Sequence, residues 1–135
     1  MNEDQIVEAV CAYLARTGCN VTSRCSTRER GIDIAGEHQG RKLYIEAKGG
    51  TSSREGSNRF GNPYTQSQVF DRVAKGFYTA ACLRSKHGEE SVVGLAFPET
   101  PTFRRYVRDV AVAAARLHLT FYWIQPDNTV KEEQA

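Results

Sequence analysis

The sequence feature that most constrains the fold is the stretch GIDIAGEHQGRKLYIEAKG, which runs from Gly31 to Gly49. It predicts two β-strands, Gly31 to Gly36 and Lys42 to Lys48. Between them, Gln39-Gly40 has the residue types of a two-residue hairpin turn. The stretch therefore predicts an antiparallel hairpin whose register is set by the turn.

That register places apolar residues opposite each other. With the turn at Gln39-Gly40, Ile34 lies opposite Ile45 and Ile32 lies opposite Ala47. Because strand side chains alternate between the two sides, these four residues are predicted to share one apolar face.

The other face of the hairpin carries two acids in register. Asp33 lies opposite Glu46, and Lys48 points the same way because it is two residues further along. Opposed strand residues have Cβ atoms about 5 Å apart, where like charges are destabilising. A divalent cation between the carboxylates removes this conflict, and hard oxygen ligands suit Mg²⁺, with Mn²⁺ as the alternative.

Length and composition predict one domain. The chain has 135 residues, 25% charged and 40% hydrophobic, which is enough for a core without disulfides. We expect a single domain over residues 1–126 and a polar tail, 127–135, that frays. The net charge of +2 is too small to predict a nucleic-acid partner by itself.

The cysteines predict neither zinc nor export. The four cysteines, which show no CxxC pair, are Cys11, Cys19, Cys25 and Cys82. Cys11 and Cys82 fall in helical patterns, where a free cysteine acts as a small apolar residue. The start MNEDQ has no signal-peptide pattern, and no apolar run has transmembrane length. We therefore expect a cytoplasmic protein with no membrane partner.

Residues 3–17 predict an amphipathic helix that ends before Gly18. Glu3 falls on its apolar stripe, so it points inward. Two interpretations stay open for Glu3, namely a metal ligand beside the hairpin or a favourable charge at the helix N-terminus.

A second helix is predicted from Tyr64 to Ser85. Gln66 projects onto its buried face near the start, whereas Gln68 points elsewhere. A buried glutamine needs hydrogen bonds, so Gln66 either caps a neighbouring turn or orients a water molecule or a phosphate.

Four arginines in polar segments are candidates for phosphate contacts. Arg28 and Arg30 precede the hairpin. Arg54 and Arg59 lie in the Gly- and Ser-rich segment Gly49 to Pro63, which we interpret as a substrate clamp or, alternatively, as ordinary disorder. For Arg28 and Arg30 a solvated loop is the alternative.

The rest of the chain completes an α/β pattern. Strands are predicted at Cys19–Cys25, Ser91–Phe97 and Leu119–Ile124, and a third helix from Thr100 to about Arg116. The outer face of that helix is expected to be solvated and carries Arg104, Arg105, Arg108 and Arg116. The order αβββαβαβ predicts a three-layer sandwich with a mixed central sheet flanked by helices.

Asp33 followed by Glu46-Ala47-Lys48, in this order of elements, resembles the PD-(D/E)XK nuclease superfamily and its restriction-endonuclease-like core. The closest likeness is to small nucleases of the Holliday-junction-resolvase and restriction-enzyme type. The match covers about Glu3 to Ile124. The proline that often precedes the aspartate is replaced by Ile32, which weakens assignment to one subfamily.

The resemblance implies roles for these residues. Asp33, Glu46 and the backbone carbonyl of Ala47 would hold Mg²⁺, with Glu3 as an additional ligand. Lys48 would position the attacking water and stabilise the transition state. Gln66 would correspond to a helix glutamine of some subgroups.

The function expected from these residues is metal-dependent hydrolysis of DNA by an endonuclease that is structure-directed or recruited by a partner. RNA is the alternative substrate. We expect either a homodimer or a recruiting protein. The alternative function is a nucleic-acid-binding or assembly module that keeps the nuclease fold without cutting.

Overall fold

The computed structural model describes residues 1–24, 32–51 and 63–135. These residues form six strands and four helices. In chain order they are α1 (Glu3–Arg16), β1 (Asn20–Arg24), β2 (Ile34–His38), β3 (Arg41–Ala47), α2 (Gln66–His87), β4 (Val92–Pro98), α3 (Pro101–Asp109), α4 (Ala111–Arg116), β5 (Thr120–Ile124) and β6 (Val130–Gln134).

The strands form one open mixed sheet in the order β1-β2-β3-β4-β5-β6. The central strand β4 is parallel to β3 and to β5, and the outer pairs are antiparallel. Parallel strands covered on both faces are nearly continuously apolar, as β4 and β5 are. The strand predicted at Ser91–Phe97 is therefore a central strand of the sheet.

Helices cover the two faces of the sheet and bury separate cores. The core under α1 takes Tyr122 and Ile124 from β5, whereas the core under α2 and α3 takes Phe121 and Trp123 from the same strand. This alternation along β5 is the strand period of two. The predicted three-layer sandwich is confirmed.

The register of the central hairpin is also confirmed. Gln39 and Gly40 have φ values of 52° and 79° and connect the strands, and Ile34 pairs with Ile45. The pairing ends there, because the chain bends at Asp33 before it enters β2. As a result Ile32 packs in the core under α2, and its expected place opposite Ala47 is wrong.

The third predicted helix is two helices. At Val110 the backbone leaves the α region (φ −112°, ψ 18°), and its N–H bonds to Val107 O in a tighter turn. The break directs α4 so that Ala114 is buried while Val112 is exposed. Val110 and Leu117, on either side of α4, are only half-buried.

Arg104 does not belong to the solvated outer face. Its guanidinium lies 3.9 Å from the ring centroid of Trp123 and forms ion pairs with Glu99 (2.8 Å) and Glu133 (2.9 Å). A guanidinium stacks on an aromatic face while its edge binds carboxylates. The other three arginines of that face are exposed as expected.

The predicted frayed tail is a strand. Val130–Gln134 pairs with β5 along its whole length, so it closes that edge of the sheet. The connecting turn is held by Asp127, whose Oδ1 accepts bonds from the N–H (3.0 Å) and hydroxyl (2.7 Å) of Thr129, and Asn128 adopts φ 69°. The domain therefore extends beyond residue 126.

Arg84 joins the ends of three elements. Its side chain is buried and donates to four backbone carbonyls, at distances between 2.7 and 3.2 Å. These carbonyls follow α2, precede β4 and end α4, namely those of Gly88, Ser91, Leu117 and His118. Carbonyls at helix ends lack partners within the helix, so Arg84 stabilises this end of the fold.

Two smaller expectations have clear outcomes. Cys11 is buried, as expected, but Cys82 is exposed and does not serve as a core residue. Across residues 1–24, 32–51 and 63–135, no helix combines the length and the apolar character needed to cross a membrane.

Removing residues 127–135 tests the role of β6. We expect the melting temperature to fall by more than about 5 °C, because β5 loses its partner and Arg104 loses an ion pair. Glu133→Gln is the control, with an expected loss of less than about 1 kcal/mol, because the ion pair is partly exposed. An unchanged melting temperature in the truncated chain would show that β6 is dispensable.

Candidate active site

Two buried carboxylates meet at the end of the central hairpin. Asp33 lies in the bend before β2, and Glu46 lies near the end of β3, with exposed fractions of 7% and 9%. The two carboxyl groups lie close enough to interact directly. The predicted meeting of Asp33 and Glu46 is therefore observed, although Asp33 reaches Glu46 from a bend rather than from a strand.

Asp33 completes the hydrogen bonds of β3 where the ladder stops. Lys48 donates its N–H to Ala96 O in β4, so the preceding N–H, of Ala47, points the other way, toward β2. No β2 carbonyl pairs with it, and Asp33 Oδ2 accepts this N–H at 2.8 Å instead. The bend therefore both ends the strand and fixes the carboxylate beside Glu46.

Lys48 lies against the same pair. Its Nζ is 3.1 Å from Glu46 Oε1, and the two side chains are 14% and 11% exposed. An ammonium group has three N–H donors, so the contact with Glu46 leaves two for other acceptors. The structure thus brings together Asp33, Glu46 and Lys48 as the register predicted.

The start of α1 packs against this site. A Cβ on Gly49 would overlap the backbone of Asn2 and Glu3, so only glycine allows the approach. Gly50 also donates to Met1 O at 2.8 Å. This contact holds Glu3, which is half-buried, at the first turn of α1 beside the carboxylate pair.

Burial raises the pKa of all three clustered carboxyl groups. Burial, followed by the charge of Asp33, raises the pKa of Glu46 to about 7, against the opposing effect of Lys48. Burial also raises the pKa of Asp33 and of Glu3, and Asp33 adds to the effect on Glu3. Strongly perturbed carboxylates in one place are typical of functional sites.

Sequence reasoning missed two residues at the edge of this cluster. Tyr64 donates its N–H to Gly50 O at 2.8 Å, and Arg72 of α2 lies over the Tyr64 ring, 5.1 Å from its centroid. Arg72 is close enough for its charge to lower the pKa of Glu3. The sequence did contain a signal for Arg72, because it lies between Val69 and Val73 on the predicted buried side of the helix.

The expected inward orientation of Gln66 is wrong. Gln66 begins α2 and is exposed. Gln68, which was expected to point elsewhere, forms the capping box with Thr65, and its Oε1 accepts the Thr65 N–H at 2.8 Å. The helix α2 starts at residue 66, two residues later than predicted, and its first buried residue is Val69. A catalytic role for Gln66 stays a prediction.

The predicted phosphate-binding arginines lie outside the described residues. Arg28 and Arg30 fall in 25–31, and Arg54 and Arg59 fall in 52–62. The clamp or disorder predicted for Gly49–Pro63 lies mostly in the second of these ranges. Their contacts with nucleic acid stay predictions.

Neither a family model nor a curated protein matches this chain. Two solved structures share its fold. One is an XisH family protein from Nostoc punctiforme PCC 73102, with a TM-score of 0.60, 19% identity, and coverage of 97% of this chain and 98% of the other. The second is a fdxN element excision controlling factor protein from Anabaena variabilis, with a TM-score of 0.59, 20% identity, and coverage of 97% and 98%.

The donor set fits a magnesium ion only in part. Among the residues that the structure describes, no group of three or more His, Cys, Asp or Glu side chains has the arrangement of a metal site. Asp33 and Glu46 remain as a buried oxygen pair. Mg²⁺ is bound in proteins by one or two carboxylates while keeping several waters, so this pair is sufficient in number and in chemistry.

A separate cavity lies at the opposite end of the sheet. It has a volume of about 580 Å³ and is lined by residues of the hairpin turn and of the strand starts, among them His38, Arg41, Arg84 and His118. None of the clustered carboxylates lines it. The carboxylates instead lie at the carboxyl end of β3, where ligands bind in open sheets with parallel strands.

Gly49→Ala tests the contact between α1 and the hairpin. We expect the free energy of unfolding to fall by about 1–3 kcal/mol, because the added Cβ meets backbone that cannot move alone. Gly50→Ala is the matched control, since its Cβ would meet side-chain atoms of Pro98 and Phe103 at 3.1 and 3.6 Å. Equal effects of the two changes in urea denaturation would contradict the close approach at Gly49.

Glu46→Gln tests the electrostatic cost of the pair. Since the pKa of Glu46 rises from 4.5 to about 7 on folding, the folded protein binds a proton that the unfolded chain releases between these values. In chelator, the melting temperature of the wild type should therefore fall as pH rises through this window. Glu46→Gln should weaken this dependence and melt higher than the wild type at pH 8.

Magnesium supplies the second arm of this test. At pH 8 it should raise the melting temperature of the wild type but not of Glu46→Gln, because a ligand stabilises only the state that binds it. Glu37→Gln is the control, an exposed acid on β2. A pH profile in which Glu46→Gln follows the wild type would contradict the raised pKa.

Proposed function

We propose that this protein is a divalent-metal-dependent endonuclease that hydrolyses DNA phosphodiester bonds, of the PD-(D/E)XK type that its sequence resembles. We infer Mg²⁺ as the cofactor, with Mn²⁺ as the alternative. The cut is directed by DNA structure or by a recruiting partner.

One observation carries this proposal: two buried carboxylates in contact, with a lysine ammonium beside them. Burying like charges is costly unless something compensates them. Lys48 compensates one negative charge, and Glu3 adds another acid to the edge of the cluster. A cation and a phosphate group are the ligands that such a charge arrangement favours.

In this proposal the acids and one backbone carbonyl form the metal site. Asp33, Glu46 and the carbonyl of Ala47 would hold the metal ion. When bound, the ion stabilises the negative charge that develops on the phosphoryl oxygens. Glu3 lies at the edge of this set, where it would act on the ion through water.

Lys48 would act on the substrate. Its contact with Glu46 fixes the ammonium group, and its two remaining donors would bind a phosphoryl oxygen and orient the attacking water. Such preorganised donors stabilise the transition state because they need no reorganisation during the reaction. A compact ammonium suits this position better than the planar fork of arginine.

The comparisons support the fold on which this proposal rests. One of the two proteins with the same fold is named a fdxN element excision controlling factor. As part of the proposal, we infer for this chain a related role, either in cutting nucleic acid or in controlling such cutting.

The proposal predicts cleavage of labelled DNA in Mg²⁺ or Mn²⁺ and none in chelator. The substrates to compare are duplex, single-stranded, flapped and four-way DNA. Lys48→Ala should lower the cleavage rate by about 10²–10³-fold, as expected for the loss of one transition-state donor. In Mg²⁺, where the metal ion would compensate the carboxylates, its melting temperature and metal affinity should change little, and Lys48→Arg should not restore the rate.

Lys42→Ala is the matched control, an exposed lysine on the same strand. Asp33→Asn should also abolish cleavage, which excludes a contaminating nuclease. Near wild-type cleavage by Lys48→Ala would remove Lys48 from the mechanism. Binding without cleavage by the wild type would favour the assembly module instead.

A further inference from the structure

Among the arginines that the structure describes, three are withdrawn at least partly from solvent, and two of these form several hydrogen bonds or ion pairs. Arg84 donates to four carbonyls, and Arg104 stacks on Trp123 while it binds two carboxylates. These contacts compensate the guanidinium groups for the water that they lose.

Arg72 is half-buried, and the described residues give it no comparable set of partners. Among the residues that the structure describes, its one hydrogen bond goes from Nη2 to the Tyr64 hydroxyl at 3.5 Å, the long limit of such a bond. Within the same residues it forms no ion pair. A guanidinium has five N–H donors, so most of those of Arg72 remain open to an acceptor that these residues do not supply.

The position of Arg72 is fixed from two sides. Its guanidinium lies over the Tyr64 ring, and Tyr64 is tied through its N–H to Gly50, two residues after Lys48. The charge of Arg72 also reaches Glu3 on the other side of the cluster. A cation that forms no ion pair with any described residue is therefore held beside the carboxylates, next to the end of β3.

We propose that Arg72 binds a phosphate of the nucleic-acid strand that occupies the site at Asp33 and Glu46, with the Tyr64 ring as its support. The inference rests on the proposed function and adds a binding residue to it. Arginine suits this role because its planar fork gives two parallel hydrogen bonds to phosphate oxygens. Stacking on a tyrosine holds the fork without using its donors.

The test measures binding of fluorescently labelled single-stranded and duplex DNA by anisotropy, in chelator and at several salt concentrations. Arg72→Ala should weaken binding to all sequences and reduce the slope of log K against log salt by about 0.7 to 0.9, the loss of one phosphate contact. Arg72→Lys should keep most of the slope but bind less tightly. Tyr64→Phe should bind as the wild type does, because it keeps the ring.

Lys75→Ala is the matched control, an exposed cation one turn away on the same helix, and its slope should equal that of the wild type. A lower melting temperature of Arg72→Ala with an unchanged slope would overturn the inference, because Arg72 would then only brace α2 against α1. Equal slope changes in Lys75→Ala and Arg72→Ala would also overturn it, as would a wild type that binds neither DNA.

Cleavage assays in Mg²⁺ separate this inference from the proposed function. Cleavage by the wild type, with no effect of Arg72→Ala on the salt slope or on KM, leaves the nuclease and removes Arg72. A reduced slope in Arg72→Ala without cleavage by the wild type keeps the phosphate contact and removes the reaction.

Discussion

The site depends on holding two carboxylates together where their charges repel. Strand pairing does not hold them, because the β2–β3 ladder ends at Ile34 and Ile45, before it reaches Asp33 and Glu46. The bend at Asp33 brings the two acids together. Its carboxylate accepts the N–H of Ala47, which a backbone carbonyl would have accepted if the β2–β3 ladder had continued. One hydrogen bond therefore satisfies the backbone of β3 and positions the acid, and the pair is stable enough to form although its charges oppose folding at high pH.

The same end of β3 joins the layers of the sandwich. Gly49 lets the first turn of α1 lie directly on the chain that leaves β3, and Gly50 links to both Met1 and Tyr64. Two successive glycines thus bring the N-terminal turn and the start of the α2 segment to the carboxylates. Three parts of the sequence that are far apart in number, around residues 2, 49 and 64, meet there because the glycines allow their backbones to approach.

The sequence predicted the parts that depend on local periodicity. The turn at Gln39-Gly40 determines the hairpin register, and the apolar run of β4 determines its central place. It did not predict features that depend on distant partners. Val130–Gln134 looks like a polar tail until β5 pairs with it, and Arg104 looks solvated until Trp123 lies beneath it. Gln66 illustrates a smaller error, since it is the first residue of α2 and the buried face of that helix begins only at Val69.

The strand β6 has a consequence for how this protein behaves in a crowded solution. Its partner β5, with the sequence TFYWI, is completely buried and strongly apolar. Such a segment, left as the edge of a sheet, is a template for pairing with a strand of another molecule. β6 occupies that edge and presents Lys131 and Glu132 to solvent in its place. Five mostly polar residues thereby keep the most aggregation-prone segment of the chain from self-association.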